Sequence, residues 1–581
     1  MVDFSDAESQ KQLSFPLGVD DYAVLVTGKY VYIDKTLLIK EFWEEGAPVV
    51  LVTRPRRFGK TLSLSMIQYF FEKTEISHAP LFEKTKIWKE KGFSELQGTY
   101  PVIFVTFKDV KCDSWEEAYQ KCTSILSKEV YRTLKDLSPK MDGYYRKKYE
   151  ALIDRSANKT DFSEALLFIT EVFMEYYKTK TIILVDEYDT PITHAYLRGY
   201  YKPMIEFMRD LLSSALKTNK HLSRGFMTGV VRTAKDGILS GLNNPAICTM
   251  LDIRFADKFG FTQEETSHLL KIAGRQDQER EVRRWYNGYV IGIDHQQAPF
   301  TSHLVTSVYN PWSILSYLRG QPIPKPYWVS TGSTELLEKM ISEAGPKTQE
   351  DLKLLMEGKS LKSKAIDQDV ILLDLSRKEC EPWSFLFFAG YITACNFEIK
   401  DEFLYELKTP NKEISDLYKK LVLKTIQQKI SSCDLGDLLK ALIEGHVEKF
   451  EKLLQEFIYN FCSSHDLPGN DLERSLHLFV LGLLASLSDR YIVDSNLESG
   501  KGRYDICLSP KSPSQDPGII LEFKKGKKEE LENLAKTALD QIKESLYVTH
   551  LQKQGHLGLI FFYGIASCKK EILVKKETFH C

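Results

Sequence analysis

An apolar, largely β-branched run, Val49-Val50-Leu51-Val52-Thr53, passes directly into Arg54-Pro55-Arg56-Arg57-Phe58-Gly59-Lys60-Thr61. Such a run is what a strand covered on both faces looks like, and the apolar spacing from Leu62 through Met66, Ile67, Phe70 and Phe71 is helical. A strand that enters a helix through a glycine turn leaves the first helical amides unpaired and, with the helix dipole, aims them at an anion. The pattern predicts a phosphate cradle at Arg57, Phe58 and Gly59, with Lys60 reaching terminal phosphates and the Thr61 hydroxyl holding Mg²⁺. The first glycine of G-x-x-x-x-G-K-[ST] falls on Arg54, however, so the string taken alone also fits a structural turn.

A second strand, Thr181 to Val185, ends in Asp186-Glu187-Tyr188-Asp189. An acid at a strand end suits Mg²⁺, and a neighbouring Glu suits the orientation or deprotonation of an attacking water, which gives Asp186 and Glu187 those roles. The competing reading is that these acids mark where a buried strand meets solvent. Further strands are expected at Pro101 to Phe107 and Gly225 to Val231, and strands alternating with helices imply a parallel sheet. Loops at the carboxyl ends of such strands converge, so Lys60, Asp186 and Arg232 are expected to meet. Arg232 is then a candidate γ-phosphate sensor or, equally, a surface ion-pair partner.

A chain of 581 residues is too long for one core, and three or four domains are expected. The net charge of -2 excludes a uniformly basic nucleic-acid coat, so any polyanion site must be local. The ten cysteines form no C-x-x-C pair, which argues against zinc and a disulfide framework and for a reducing cytoplasmic or nuclear setting. The acidic start, Met1 to Asp6, lacks the features of a signal peptide, no window resembles a membrane span, and the terminal Cys581 is not in a prenylation position.

Thr262 and Glu265 form a capping box, and from there to about Leu375 helical patches alternate with aromatic turns at 285–289, 309–313 and 327–332. Those aromatics either stack a base or pack irregular connections. Short strands are expected from Phe385 to Pro410, a helical connector from Asn411 to about Phe461, and a loop from Ser509 to Gly518. The resulting boundaries are 1–258 for a P-loop domain, 259–384 for a helical lid, 385–465 for a strand segment and connector, and 466–581 for a last α/β domain.

In that last domain, period-2 alternation puts Glu522 and Lys524 on one face of an otherwise apolar strand. With Asp505 on a neighbouring strand, Asp505 and Glu522 share Mg²⁺ while Lys524 positions a metal-bound water against a phosphodiester; Glu473, Glu498 and Gln541 complete the pocket. The plainer alternative is a cross-strand ion pair beside a solvated run at Lys524, Lys525, Lys527 and Lys528. The order of elements supports the catalytic reading: a helix at 473–487, strands at 491–497, Asp505 and Glu522, a helix with Gln541, and a strand at 557–563.

With these strings in place the chain resembles a fusion of an AAA-ATPase-like family member and a PD-(D/E)XK nuclease domain, over nearly its whole length. The resemblance is carried by Arg54 to Thr61, Val185 to Asp189, Trp285 to Tyr289, Tyr309 to Ser313, Ala389 to Tyr391, Pro410 to Glu413, and Asp505 with Glu522-Phe523-Lys524. It implies an α/β multidomain fold: a P-loop, AAA-like parallel sheet with a helical lid, a helical connector, and a restriction-endonuclease-like C-terminal domain. It implies Lys60 on phosphate, Thr61 and Asp186 on Mg²⁺, Glu187 as the water-orienting acid, and Asp505, Glu522 and Lys524 as the nuclease core supported by Glu473 and Gln541. Tyr504 stands where the nominal nuclease motif has Pro. An arginine finger would come from Arg56, Arg57 or a neighbouring subunit in a homo-oligomer. The expected function is ATP binding, with hydrolysis, coupled to a Mg²⁺-dependent phosphodiesterase on nucleic acid, DNA before RNA, with no membrane partner. The alternative is an ATP-switched scaffold that holds nucleic acid or protein with an inactive nuclease fold.

Overall fold

The computed structural model describes residues 14–232 except 218, then 245–293, 304–328 except 322, 334–342, 346–368, 382–399, 403–429 and 435–463. It further describes 479–568, leaving out 481, 484, 488, 496–497, 500–501, 504–505, 513–514, 545–550 and 552–557, and then 571–580. The chain forms two compact units, Met1–Ser333 with Lys362–Ile414, and Thr334–Leu361 with Ser415–Cys581.

The first unit is built on β1 (Val49–Thr53), β2 (Val102–Thr106), β3 (Thr181–Asp186), β4 (Leu222–Gly229) and β5 (Ala246–Cys248). They lie in the order β2-β3-β4-β1-β5, all parallel. Every residue of β1 and β3 is buried, as a sheet with helices on both faces requires. The register pairs Thr106 with Asp186 and Val52 with Thr228, which brings the carboxyl ends of four strands to one edge. The expected strand at Gly225 to Val231 starts three residues earlier and stops at Gly229.

Beyond the sheet, the capping box at Thr262 and Glu265 is present and starts the helix Gln263–Ile272. The helices Glu279–Tyr286 and Pro311–Arg319 follow, separated by a hairpin of β6 (Tyr289–Ile293) and β7 (Leu304–Val308). Trp285, Tyr286, Tyr309 and Tyr317 are buried together in one core with Leu269 and Ile314, so most of the aromatic turns pack. A small sheet joins β8 (Leu361–Ala365), β9 (Thr393–Ile399) and β10 (Phe403–Lys408) in the order β8-β10-β9. The expected strands from Phe385 begin only at Thr393, because Trp383–Phe388 is a helix. From Phe385 to Phe388 that run is wholly apolar, and a short apolar run does not by itself distinguish a buried helix from a buried strand.

The connector is helical as expected, over Lys412–Lys429, Leu435–Glu444 and Val447–Ser463. The second unit carries β11 (Tyr491–Ser495), a minimal pair of β12 (Glu498–Ser499) and β13 (Gly502–Arg503), β14 (Ile506–Pro510), β15 (Gly518–Lys525), β16 (Leu559–Cys568) and β17 (Glu571–His580). Its sheet runs β11-β14-β15-β16-β17, mixed in direction, with only β15 and β16 parallel. The helix Leu531–Glu544 covers it so closely that a Cβ on Gly564 would come within 2.2 Å of the Ala535 carbonyl oxygen. Only glycine fits there.

Candidate functional site

The strongest concentration of chemistry lies at the carboxyl edge of the parallel sheet. β1 ends at Thr53, and the chain turns through Gly59, at φ +85°, into the helix Lys60–Phe71. A Cβ on Gly59 would meet no heavy atom within 4 Å, so the backbone conformation, and not crowding, calls for glycine. Lys60 is buried, and its Nζ donates to the carbonyl oxygens of Arg54 and Pro55, both at 3.1 Å. Burial lowers the Lys60 pKa, opposed by the charges of Glu187, Asp186 and Asp189.

Asp186 is fully buried at the end of β3 and accepts three hydroxyls: Thr61 at 2.8 Å, Thr106 at 3.0 Å and Thr228 at 2.7 Å. Burial and the Glu187 charge raise its pKa against the pull of the Thr228 and Thr61 hydroxyls and of Lys60. The sheet thus joins Lys60, Thr61 and Asp186 from strands far apart in sequence. Glu187 follows in a left-handed conformation, φ 50°, held by a 2.9 Å hydrogen bond from the Thr190 hydroxyl. Burial opposes its charge, but Lys60, Thr190, Arg56 and Lys111 outweigh burial and hold the carboxyl below its ordinary range. A non-glycine residue in this region costs about 1 kcal/mol or more, and such strain is commonly kept at working sites.

A cavity of about 480 Å³ opens beside these groups, lined by Arg56, Arg57, Gly59, Lys60, Thr61 and Glu187. Its lining also includes the apolar Val31, Phe261, Leu269 and Leu315 and the basic Lys108 and Lys111. The Arg57 guanidinium lies 4.1 Å from the Trp312 ring centroid, so one of the aromatic turns does face the cavity. Phe58 is buried, with its ring edge-on to Tyr289 at 5.1 Å. Arg232 is half-buried beyond the end of β4 and is not among the residues lining the cavity.

Arg54 takes a role that sequence reasoning missed. Its guanidinium is completely buried and donates to the carbonyl oxygens of Thr53 (2.8 Å), Cys248 (3.0 Å), Thr249 (3.0 Å), Arg254 (3.3 Å) and Phe255 (3.2 Å). Burial brings its pKa down to about 10, which still leaves it charged at neutral pH. The residue that replaces the usual glycine therefore ties the loop to the segment after β5. Asp189, also missed, is structural: its Oδ2 accepts the amides of Val230 and Val231 at 2.8 and 3.0 Å. Thr106 and Thr228 were within reach of sequence reasoning, since each lies at or beside the end of a strand neighbouring β3.

In the second unit, Glu522 is buried on β15 and accepts from Lys524 Nζ at 3.1 Å. The two do share one face of the strand, and their ion pair runs along that strand. Lys525, Lys527 and Lys528 are exposed, and Lys528 pairs with Glu571 at 2.6 Å, as a solvated run does. Gln541 is half-buried on the covering helix Leu531–Glu544. Glu473, Tyr504 and Asp505 lie outside the described residues, and the side chain of Glu498 is likewise outside them. Among the described residues no three His, Cys, Asp or Glu side chains gather as a metal cluster, and no helix is long and apolar enough to cross a membrane.

Comparison with known proteins follows this division. Residues 16–239 match a family model described as "Predicted AAA-ATPase", and residues 471–577 match the PD-(D/E)XK nuclease superfamily. A relative described as "Uncharacterized protein in vnfD 5'region" from Azotobacter chroococcum mcd 1 is 25% identical over 475 residues, covering 80% of each chain.

Proposed function

From a chain that joins an AAA-ATPase-like domain to a PD-(D/E)XK nuclease-like domain, we propose that the first binds and hydrolyses ATP with Mg²⁺ and the second is a Mg²⁺-dependent phosphodiesterase acting on nucleic acid, DNA before RNA. The observation that carries the reading is the junction of Asp186 with Thr61, which lines the cavity together with Lys60: Thr61 Oγ1 lies 2.8 Å from Asp186 Oδ2. The donor chemistry fits a nucleotide: loop amides at Arg57, Phe58 and Gly59, one buried ammonium, a hydroxyl and a carboxylate suited to a hard cation, and apolar side chains in the lining for a base. Lys60 would exchange its two loop carbonyls for phosphate oxygens. Glu187, held ionised and fixed by Thr190, is the group that can accept a proton from water. Bound Mg²⁺ supplies charge neutralisation at phosphoryl oxygens.

For the second domain, the reading is supported by the buried Glu522 and its Lys524 partner within the segment matching the nuclease superfamily, with Asp505 assigned as the companion acid. Two measurements test the proposal. Lys60→Ala should weaken binding of a fluorescent ATP analogue at least about tenfold, and unchanged affinity would refute the first half. Incubation with plasmid and single-stranded DNA should give Mg²⁺-dependent cleavage that Lys524→Ala abolishes while DNA retention persists. Salt-sensitive retention without cleavage in any divalent cation would refute the second half and favour a binding scaffold.

A further inference from the structure

The strings around Asn310, Trp328 and Glu413 do not reach the interior of the cavity as a group; they meet behind the phosphate loop. The Arg56 carbonyl oxygen accepts the Trp328 indole Nε1–H at 3.1 Å and the Asn310 Nδ2–H at 3.4 Å. The Trp328 backbone amide donates in turn to Glu413 Oε1 at 2.6 Å, and the Ser313 hydroxyl donates to Glu413 Oε2 at 2.8 Å. Asn310 also caps the helix Pro311–Arg319 through Oδ1, which fixes the carboxamide that reaches the loop. Glu413 is completely buried. On the same side, Gly390 lies so close to Pro55 that a Cβ would stand 2.8 Å from the proline ring.

We infer that Trp328 and Glu413 are positioning residues of the nucleotide site: Glu413 holds the Trp328 backbone, and the Trp328 indole holds the Arg56 carbonyl and so the orientation of the phosphate loop. A trans peptide is planar, with its C=O and N–H pointing in opposite directions. Pinning the Arg56 oxygen to Trp328 therefore turns the Arg57 amide away from Trp328, and it does so at a residue whose φ of 67° is left-handed and in need of support. Neither residue lines the cavity. Their influence on a nucleotide passes through the loop backbone alone, and this inference rests on the nucleotide reading proposed above.

The test uses the full chain and a fluorescent ATP analogue with Mg²⁺, comparing wild type with Trp328→Phe, Glu413→Leu and Glu413→Gln. Trp328→Phe keeps the ring and the backbone amide and removes only the Nε1–H. Losing one hydrogen bond from the loop's support should weaken binding about two- to tenfold. Glu413→Leu, which removes the acceptor for the Trp328 amide, should fall in the same range, while Glu413→Gln, which retains it, should bind within about twofold of wild type. The emission difference between wild type and Trp328→Phe should shift when unlabelled ATP saturates the site, a response that a residue serving only stability does not give. Wild-type binding that Trp328→Phe leaves unaltered, with no ATP-dependent emission difference, overturns this inference alone. Absence of wild-type binding defeats the nucleotide reading and this inference with it.

Discussion

Glu413 makes the stability of the first unit depend on pH in a direction opposite to that of most carboxylates. Burial pushes its pKa from an ordinary 4.5 up to about 7, against the amides of Trp328 and Tyr327 and the Ser313 hydroxyl, which favour the ion. Among the described residues, the titratable groups that face it are the phenols of Tyr286, Tyr289 and Tyr327, all raised by burial and neutral throughout the working range. A carboxyl that holds its proton more tightly in the folded chain contributes stability that is fully present below its unfolded pKa and is lost as pH rises through the folded one. At about 1.4 kcal/mol per pH unit, the contribution lost between pH 5.5 and 7 is about 2 kcal/mol, and little more is lost above that. Glu413→Gln has no such titration. Equilibrium urea unfolding of both proteins, followed by tryptophan emission from pH 5.5 to 8, should show the variant gaining about 2 kcal/mol relative to wild type. Parallel stability profiles, within about 0.5 kcal/mol across that range, would refute the reasoning.

Arg54→Gly restores the usual first glycine of the loop yet strips five carbonyl oxygens of a buried charged partner. It should cost roughly 3–5 kcal/mol, read as a lowered melting transition together with weakened ATP binding, and an unchanged transition would contradict the clamp assigned to Arg54. Asp186→Asn removes a buried charge while keeping a group that can pair with three threonine hydroxyls. Its melting temperature should hold or rise, while the Mg²⁺-dependent part of ATP affinity falls roughly tenfold or more; affinity that keeps its Mg²⁺ dependence would count against Asp186 as a metal ligand.

What the sequence disclosed is what local chemistry encodes. The strand at Val49–Thr53, the helix opened by Gly59-Lys60-Thr61, the acids at the end of β3 and the capping box at Thr262 are each written in a few consecutive residues, and each appears in the structure. Alternation of period two likewise put Glu522 and Lys524 on one face. The purpose of Arg54 was hidden because four of its five acceptors are backbone carbonyls 194 to 201 residues away, which no side-chain pattern announces. Trp328, Asn310 and Glu413 were obscure for a related reason. Their shared target is the carbonyl of Arg56 or a group that holds it, so the turns that contain Asn310 and Trp328 suggested a base platform or plain packing, and Glu413 suggested no role, where the fold builds a brace. The part of the helix Trp383–Phe388 from Phe385 onward was misread as strand because its apolarity has no period to distinguish the two.

The division of the chain sets a practical limit on dissecting it. The first unit is interrupted after Ser333, resumes at Lys362 and finishes at Ile414, well past the end of the ATPase-like match at residue 239. During synthesis, the carboxylate that secures Trp328 emerges only after the intervening stretch has been made, so this unit cannot complete itself early. A truncation at residue 239 would remove Trp328, Asn310 and the carbonyls at 248–255 that hold Arg54, whereas one at residue 333 would keep Trp328 and Asn310 and lose only the Glu413 carboxylate behind them. Feeble nucleotide binding by such a fragment would report a missing buttress, and a fragment that is to keep Glu413 in place must extend past residue 414 to include the helix Lys412–Lys429 that carries it.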